Sequence, residues 1–360
     1  MIDVLIAGGG PAGLATAIRC AQAGLEVTVA EPRPGPIDKA CGEGLMPAAV
    51  AGLDAIGVDP GGRPLRGIRY LDARHQADGL FRGGPGLGVR RTELHAALGL
   101  RAKELGVGVV PVRVGEFAQE GGHVRAAGLT ARYLVAADGL HSSIRRACGL
   151  EVAPARRPRP GAARYEARYG LRRHYRVAPW TSMVEVYWSA GAEAYVTPVA
   201  DDLVGVAILS ARDGGAAWEG GAGGGGFERR LAAFPALRER LAGAEPASKV
   251  RGAGPLRQDV RHRVRERVLL VGDASGYIDA LTGEGISVAL AQAAVLAPCL
   301  RDGRPGDYER AWRRVSRKSR LLTAGLLWSR HQPLLGGRIV PAAERLPRLF
   351  TAIVNQVADG

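Results

Sequence analysis

The chain has 360 residues, 46% of them hydrophobic, enough to bury a sizeable core and long for one compact unit, so two closely packed domains are expected. The formal net charge is +14, yet Lys39, Lys103, Lys249 and Lys318 are the only lysines among 49 basic residues, a bias that coding alone produces, and no basic-plus-aromatic module argues for a nucleic-acid partner. Cys20, Cys41, Cys148 and Cys299 are scattered without CxxC or metal-ligand spacing, which excludes a disulfide framework and a metal site from the expectations.

MIDVLIAGGG begins with a buried strand over residues 3–7, preceded by no basic segment or cleavage site, which predicts a cytoplasmic rather than a secreted protein. Pro11 to Ala23 has helical spacing closed by Gly24, and Glu26 to Ala30 is a second strand, so the three form a right-handed βαβ unit. Gly8, Gly10 and Gly13 make GxGxxG at the strand-to-helix turn, with Pro11 and Ala12 between them in the same cofactor site. Gly8 permits the tight turn, Gly10 lets backbone approach a pyrophosphate, and Gly13 lets the helix pack closely. The helix start offers N–H groups to the phosphates, and Glu31, followed by Pro32 and Arg33, offers a carboxylate to a ribose diol.

Further strands are expected at 67–72, 107–114 (ending at Val114, placed in the cofactor site), 133–137 and 268–271, with helices at 93–105 and 286–296. Between about 153 and 258 apolar and polar residues alternate, the pattern of an antiparallel sheet covered on one face. The glycine run 220–226 reads as a connection without chemistry. Beyond Arg310 the mixture of arginines and apolar residues predicts two or three amphipathic helices interrupted at Pro333, Pro341 and Pro347. They pack on the core, with a peripheral membrane contact as their alternative use. The stretch Val288 to Leu300 is broken by Gln292 and Pro298 and is shorter than the roughly 20 residues of a membrane span.

Two later segments, ADGLHSSIRR (137–146) and VGDASGYIDALTGEGI (271–286), resemble the DG and GD motifs of the flavoprotein monooxygenase and geranylgeranyl reductase superfamily. With GxGxxG, Glu31 and GVRRTELHAAL (88–98) the resemblance runs from the first residue to about residue 300. It implies an α/β fold: a Rossmann-like FAD-binding domain of the glutathione reductase and hydroxylase type (1–62, 89–152 and 259–310), an inserted antiparallel-sheet substrate domain (63–88 and 153–258) and C-terminal helices (311–360). It also implies that Arg91 contacts FAD, that Asp138 and Gly139 lie by the pyrophosphate, and that Gly272 and Asp273 meet the ribitol. Gly283, Glu284, Gly285 and Ile286 then aim a helix start at the flavin N1 and C2 carbonyl, where charge collects on reduction.

DKACGEGLMP (38–47) resembles the Cys-Gly stretch of geranylgeranyl reductases, which places Lys39, Cys41 and Gly42 against the isoalloxazine, with Cys41 as a reactive thiol and Glu43 as an acid or base. In EAYVTPVADDLVGVAIL, Tyr195 and Pro198 match a YxWxFP substrate strand whose Trp and Phe are missing here. Alternation puts Arg168, Arg172 and His174 on one strand face, with the two arginines facing substrate and His174 a proton shuttle. His141 reads as a packing residue. Thr282, Ser275 and Gly276 depart from the hydroxylase pattern toward the reductase and halogenase branches, and the halogenase WxWxIP stretch is absent.

The first expectation, resting on the size of the hydroxylase branch, is an NAD(P)H-dependent monooxygenase acting on an apolar aromatic or polyketide-like molecule through a flavin C4a-hydroperoxide. The alternative is a flavin-dependent reductase of alkene double bonds; a halogenase or a non-catalytic flavin-binding protein comes after both. With no second GxGxxG, NAD(P)H is expected only as a transient reductant. The sequence leaves the oligomeric state open.

Overall fold

The computed structural model describes residues 1–152, 167–211, 225–332 and 335–359. Strand β1 (Ile2–Ala7) is buried on both faces: Val4 and Ile6 join one hydrophobic cluster, Leu5 and Ala7 another, as period-two alternation in a covered parallel strand requires. Helix α1 (Pro11–Gln22) starts on Pro11, whose missing N–H costs nothing in a first turn, and β2 (Val27–Ala30) completes the crossover. Next come β3 (Gly44–Leu45), α2 (Pro47–Asp54), β4 (Arg63–Leu65), β5 (Gly67–Leu71), β6 (Gln76–Leu80), β7 (Gly86–Gly88) and α3 (Arg91–Glu104). The first half closes with β8 (Gly108–Val110), β9 (Phe117–Glu120), β10 (His123–Ala126), β11 (Leu129–Ala136) and α4 (Ser143–Ala147).

The second half supplies β12 (Arg168–Arg176), β13 (Val184–Ser189), β14 (Ala192–Ala200), β15 (Leu203–Ala211), α5 (Gly225–Leu231), α6 (Pro235–Arg240), β16 (Glu245–Pro246) and β17 (Arg251–Ala253). Then follow β18 (Val264–Arg265), β19 (Val268–Leu270), α7 (Gly285–Arg301), α8 (Asp307–His331), α9 (Ile339–Arg345) and α10 (Pro347–Ala358).

Three sheets result. The first runs β18-β19-β11-β1-β2-β8, parallel from β19 to β8, with β10 and β9 added antiparallel beyond β11. Register brings Ala7, Ala30, Ala136 and Leu270 to one level, so four strands end along one edge and hand their following loops to one crevice. The second sheet runs β16-β12-β15-β14-β13-β5-β6, with β17 also on β12; it is antiparallel except where β13 meets β5. A small sheet, β3-β7-β4, lies between the two.

Several expected boundaries move. The strand expected over 107–114 stops at Val110, because Pro111 has no N–H to continue the ladder. Helix α7 runs through Pro298 to Arg301, held by buried Leu296, Ala297 and Leu300. Pro341 does not interrupt its helix: it is the third residue of α9, where an N–H has no helical acceptor, and Pro347 opens α10. Pro333, residues 153–166 of the expected insert and Gly220 to Gly224 of the glycine run lie outside the described residues.

Candidate active site

The four loops at the common strand edge build one end of a cavity of about 1190 Å³. Gly8 has φ +106°, and a Cβ there would meet Ala137 O at 2.5 Å; a Cβ on Gly13 would fall 1.9 Å from Gly8 O. Both positions therefore exclude side chains, and the α1 start is left open toward the groove. Glu31 takes the Gly9 N–H at 2.9 Å and is gripped by Arg33 at 2.7 and 2.8 Å. Burial works against its charge, but these donors outweigh it and pull the carboxyl down to about 2.

The groove fits FAD by its own chemistry. Asp138 spends Oδ2 on the N–H groups of Ser143 (2.8 Å) and Ile144 (3.3 Å), while its Oδ1 is buried without a partner, as is Arg91 Nε. Asp273 is pushed up by burial, against the pull of Arg91, Lys39 and Arg145, and its carboxylate has no hydrogen-bond partner among the described residues. A polyol of donors supplies what that acceptor lacks, and phosphates supply acceptors to the free cation. Lys39 also lines the groove, its ammonium depressed first by desolvation and then by Arg33 and Arg91.

Sequence reading missed the residue that ties these loops together. Arg145 is fully buried and donates to the carbonyls of Ala274 (3.2 Å) and Leu140 (3.0 Å), to Gln258 Oε1 (2.7 Å) and to Glu151 (3.1 Å), joining the 138 loop to the 273 loop. An arginine inside ADGLHSSIRR is the signal that could have found it. His95 was missed too; its Nε2 sits 2.9 Å from Gly9 O beneath the glycine turn.

Residues 38–46 cross from the groove to the second sheet. Cys41 is on the cavity wall, where its Sγ accepts the Glu43 N–H at 3.4 Å. Glu43, at φ 60°, has both oxygens engaged: Oε1 takes the Arg91 N–H at 2.9 Å and Oε2 faces His174 Nε2 at 2.6 Å. Arg172 Nη1, a donor only, lies 3.0 Å from His174 Nδ1, so Nδ1 accepts and Nε2 carries the hydrogen given to Glu43. Ser248 Oγ completes the set at 2.9 Å, and Arg172 also grips Asp38. The buried Glu43–His174 hydrogen bond and the Arg172–Asp38 ion pair thus clasp the 38–46 segment to β12.

Of the expected site residues, Gly8, Gly10, Pro11, Ala12, Glu31, Pro32, Arg33, Lys39, Cys41, Gly42, Glu43, Arg91, Val114, Asp138, Gly139, Gly272, Asp273, Gly283, Gly285 and Ile286 line the cavity, as do Arg172 and Tyr195. Others do not. Gly13 acts by packing. Glu284 turns behind its loop onto Ser319 at 3.1 Å, its carboxyl raised by burial. His174 stands one residue back, behind Glu43. Arg168, expected at substrate, is spent on Glu193 and on Asp279, 3.2 Å away, because a buried guanidinium must be paired. Pro198 packs its carbonyl over Gly88 instead of facing the cavity. His141, expected as a packing residue, is instead exposed and lines the rim of the groove.

The other end of the cavity was not foreseen. Beyond Tyr195, whose hydroxyl is committed to Leu281 O at 2.9 Å, it passes between Ile68, Tyr70, Val184 and Val186 of the second sheet. It then runs among Leu322 and Leu326 of α8, Ile339 and Ala343 of α9, and Phe350, Val354 and Val357 of α10. No charged side chain lines this part among the described residues. Arg330 pins α8 to the sheet through Glu193 and, at 2.9 Å, Ser189 O.

Residues 3–78 match the family described as FAD binding domain. The chain is 26% identical to digeranylgeranylglycerophospholipid reductase 1 of Methanothermobacter thermautotrophicus over 345 residues, covering 87% of this chain and 82% of the relative. It is 34% identical to 6-methylpretetramide 4-monooxygenase of Streptomyces rimosus over 172 residues, 41% of each chain. Among solved structures, a flavoprotein/dehydrogenase from Cytophaga hutchinsonii superposes with a TM-score of 0.84 at 19% identity, covering 99% of this chain and 93% of that one.

Proposed function

Starting from an FAD-dependent oxidoreductase of the geranylgeranyl reductase and monooxygenase type, we propose that the chain saturates carbon–carbon double bonds in a long, apolar, isoprenoid-like molecule. The observation that carries this is the far half of the cavity. The cavity of about 1190 Å³, which includes the flavin groove, continues past that groove as an uncharged passage to α10, and this apolar lining suits a long apolar ligand. A relative that spans most of both chains is a reductase named for a geranylgeranyl lipid, which favours the same choice.

Saturating an alkene adds a hydride to one carbon and a proton to the other. Bound FAD, reduced by a visiting NAD(P)H, supplies the hydride. The chain's own residues hold the alkene and give the proton. Cys41 receives its hydrogen bond from Glu43 N–H on sulfur, which leaves its S–H free to point into the cavity as proton donor. Glu43 and His174 position that thiol by fixing the backbone of its segment. Tyr195 presents only its ring to the ligand, since its hydroxyl is occupied.

Hydroxylation is the second reading, favoured by the shorter but more identical match to a monooxygenase. The two are separated by incubating the flavin-loaded protein anaerobically with NAD(P)H and a geranylgeranyl substrate, then weighing the product. Two hydrogens gained per double bond without air is the expected result. A product formed only in air and heavier by one oxygen overturns it.

A further inference from the structure

We infer that the mouth of the cavity, between α8 and α10, is a docking surface for an anionic lipid bilayer, from which the substrate tail slides directly inward. This deepens the proposed function and rests on its reading of the passage as a channel for a long apolar chain. Leu321, Leu346, Leu349 and Ile353 are 62%, 54%, 54% and 45% exposed, and all four also line the cavity, so they converge at its opening. Trp328, seven residues after Leu321 on the same face of α8, is 57% exposed. Clustered exposure of this kind marks an interaction site, since isolated exposed apolar residues do not gather around one opening.

Charge selects the partner. Arg314 and Arg317 precede Leu321 on its side of α8, Arg338 adjoins Ile339, and Arg345 and Arg348 flank Leu346 and Leu349. All five are exposed and none has a carboxylate partner among the described residues. From residue 311 onward only Glu344 and Asp359 are acidic. Arginines whose stems lie along apolar side chains and whose heads reach outward match a leaflet of anionic headgroups over acyl chains, and Trp suits that boundary. A protein partner would need carboxylates for the same arginines and would close the mouth that a bilayer keeps in contact with its lipid. Entering from the leaflet, an isoprenoid tail never crosses water, which otherwise opposes the transfer at every methylene.

The test is flotation of the flavin-loaded full chain with vesicles of phosphatidylcholine, with and without phosphatidylglycerol. Binding to the anionic vesicles, weakened by salt, is expected, with affinity falling about fivefold for each of Arg345→Gln and Arg348→Gln. Trp328→Ser weakens binding further, and Trp328→Phe removes the blue shift of tryptophan emission on binding. These three positions lie outside the cavity lining, so the variants keep their flavin spectrum and their turnover of a short, detergent-dispersed substrate. Equal binding to neutral vesicles, no binding, or binding unchanged by the variants overturns the inference. So does a lipid-free dimer dissolved by Trp328→Ser, which would make the patch an interface between copies. If vesicles bind as expected but no double bond is reduced, the docking surface stands and the proposed reaction falls.

Discussion

A methyl group at Gly13 would sit 1.9 Å from Gly8 O, so Gly13→Ala must push α1 away from the glycine turn. The expected result is protein purified with flavin occupancy reduced at least about tenfold, read from its visible spectrum. Cys41→Ala removes the proposed proton donor and leaves the groove intact; alkene turnover should drop by about 10²–10⁴-fold while bleaching of the flavin by NAD(P)H in the absence of alkene is unchanged. Glu31 carries a pH signature. Its carboxyl is held at about 2 in the folded state against an ordinary 4.5, so the stability it gives is complete above about 4.5 and is lost as pH falls toward about 2. Urea unfolding across that window should weaken with falling pH in the native chain, and Glu31→Gln should remove much of the slope. Residues of this kind were legible because their demands are local: a turn that admits no Cβ, a carboxylate at a strand end. Arg168 was misjudged because alternation tells which face a side chain takes, whereas Glu193 and Asp279, which claim it, come from distant strands and loops.

The elements of the flavin half were readable from apolar runs broken by glycines, and β1, α1 and β2 fall within a residue or two of expectation. The tail was readable as helices and no further, because what each helix covers is decided by partners far away in sequence. Phe350 and Val354 of α10 lie against Gly79 of β6, where an added Cβ would meet Val354 Cγ2 at 2.6 Å. Nothing in residues 347–358 announces that neighbour. Gly79→Leu should therefore lever α10 off the sheet at an expense of about 1–3 kcal/mol, leaving the flavin bound and raising KM for long substrates above that for short ones. Steady-state kinetics on a matched pair of chain lengths checks this. An equal loss with both substrates would mean that α10 supports the whole fold and does not wall the passage.

At the scale of the whole molecule, a polar groove and an apolar passage share one cavity, and the first without the second is what the motifs described. If the passage holds an isoprenoid chain, kcat/KM should climb with chain length, each newly buried methylene contributing up to about 0.8 kcal/mol, and level off once the tail reaches Leu349 and Ile353 at the mouth. A flat response would confine recognition to the flavin end. The pairing of β13 with β5, across more than a hundred residues, has a further consequence. The β5–β6 hairpin waits without its β13 neighbour while the ribosome finishes the next hundred residues, and the crevice lacks its 271–286 wall until later still. Cofactor capture is thus deferred to the end of synthesis, and a truncated chain ending at residue 152 should emerge colourless however much FAD surrounds it.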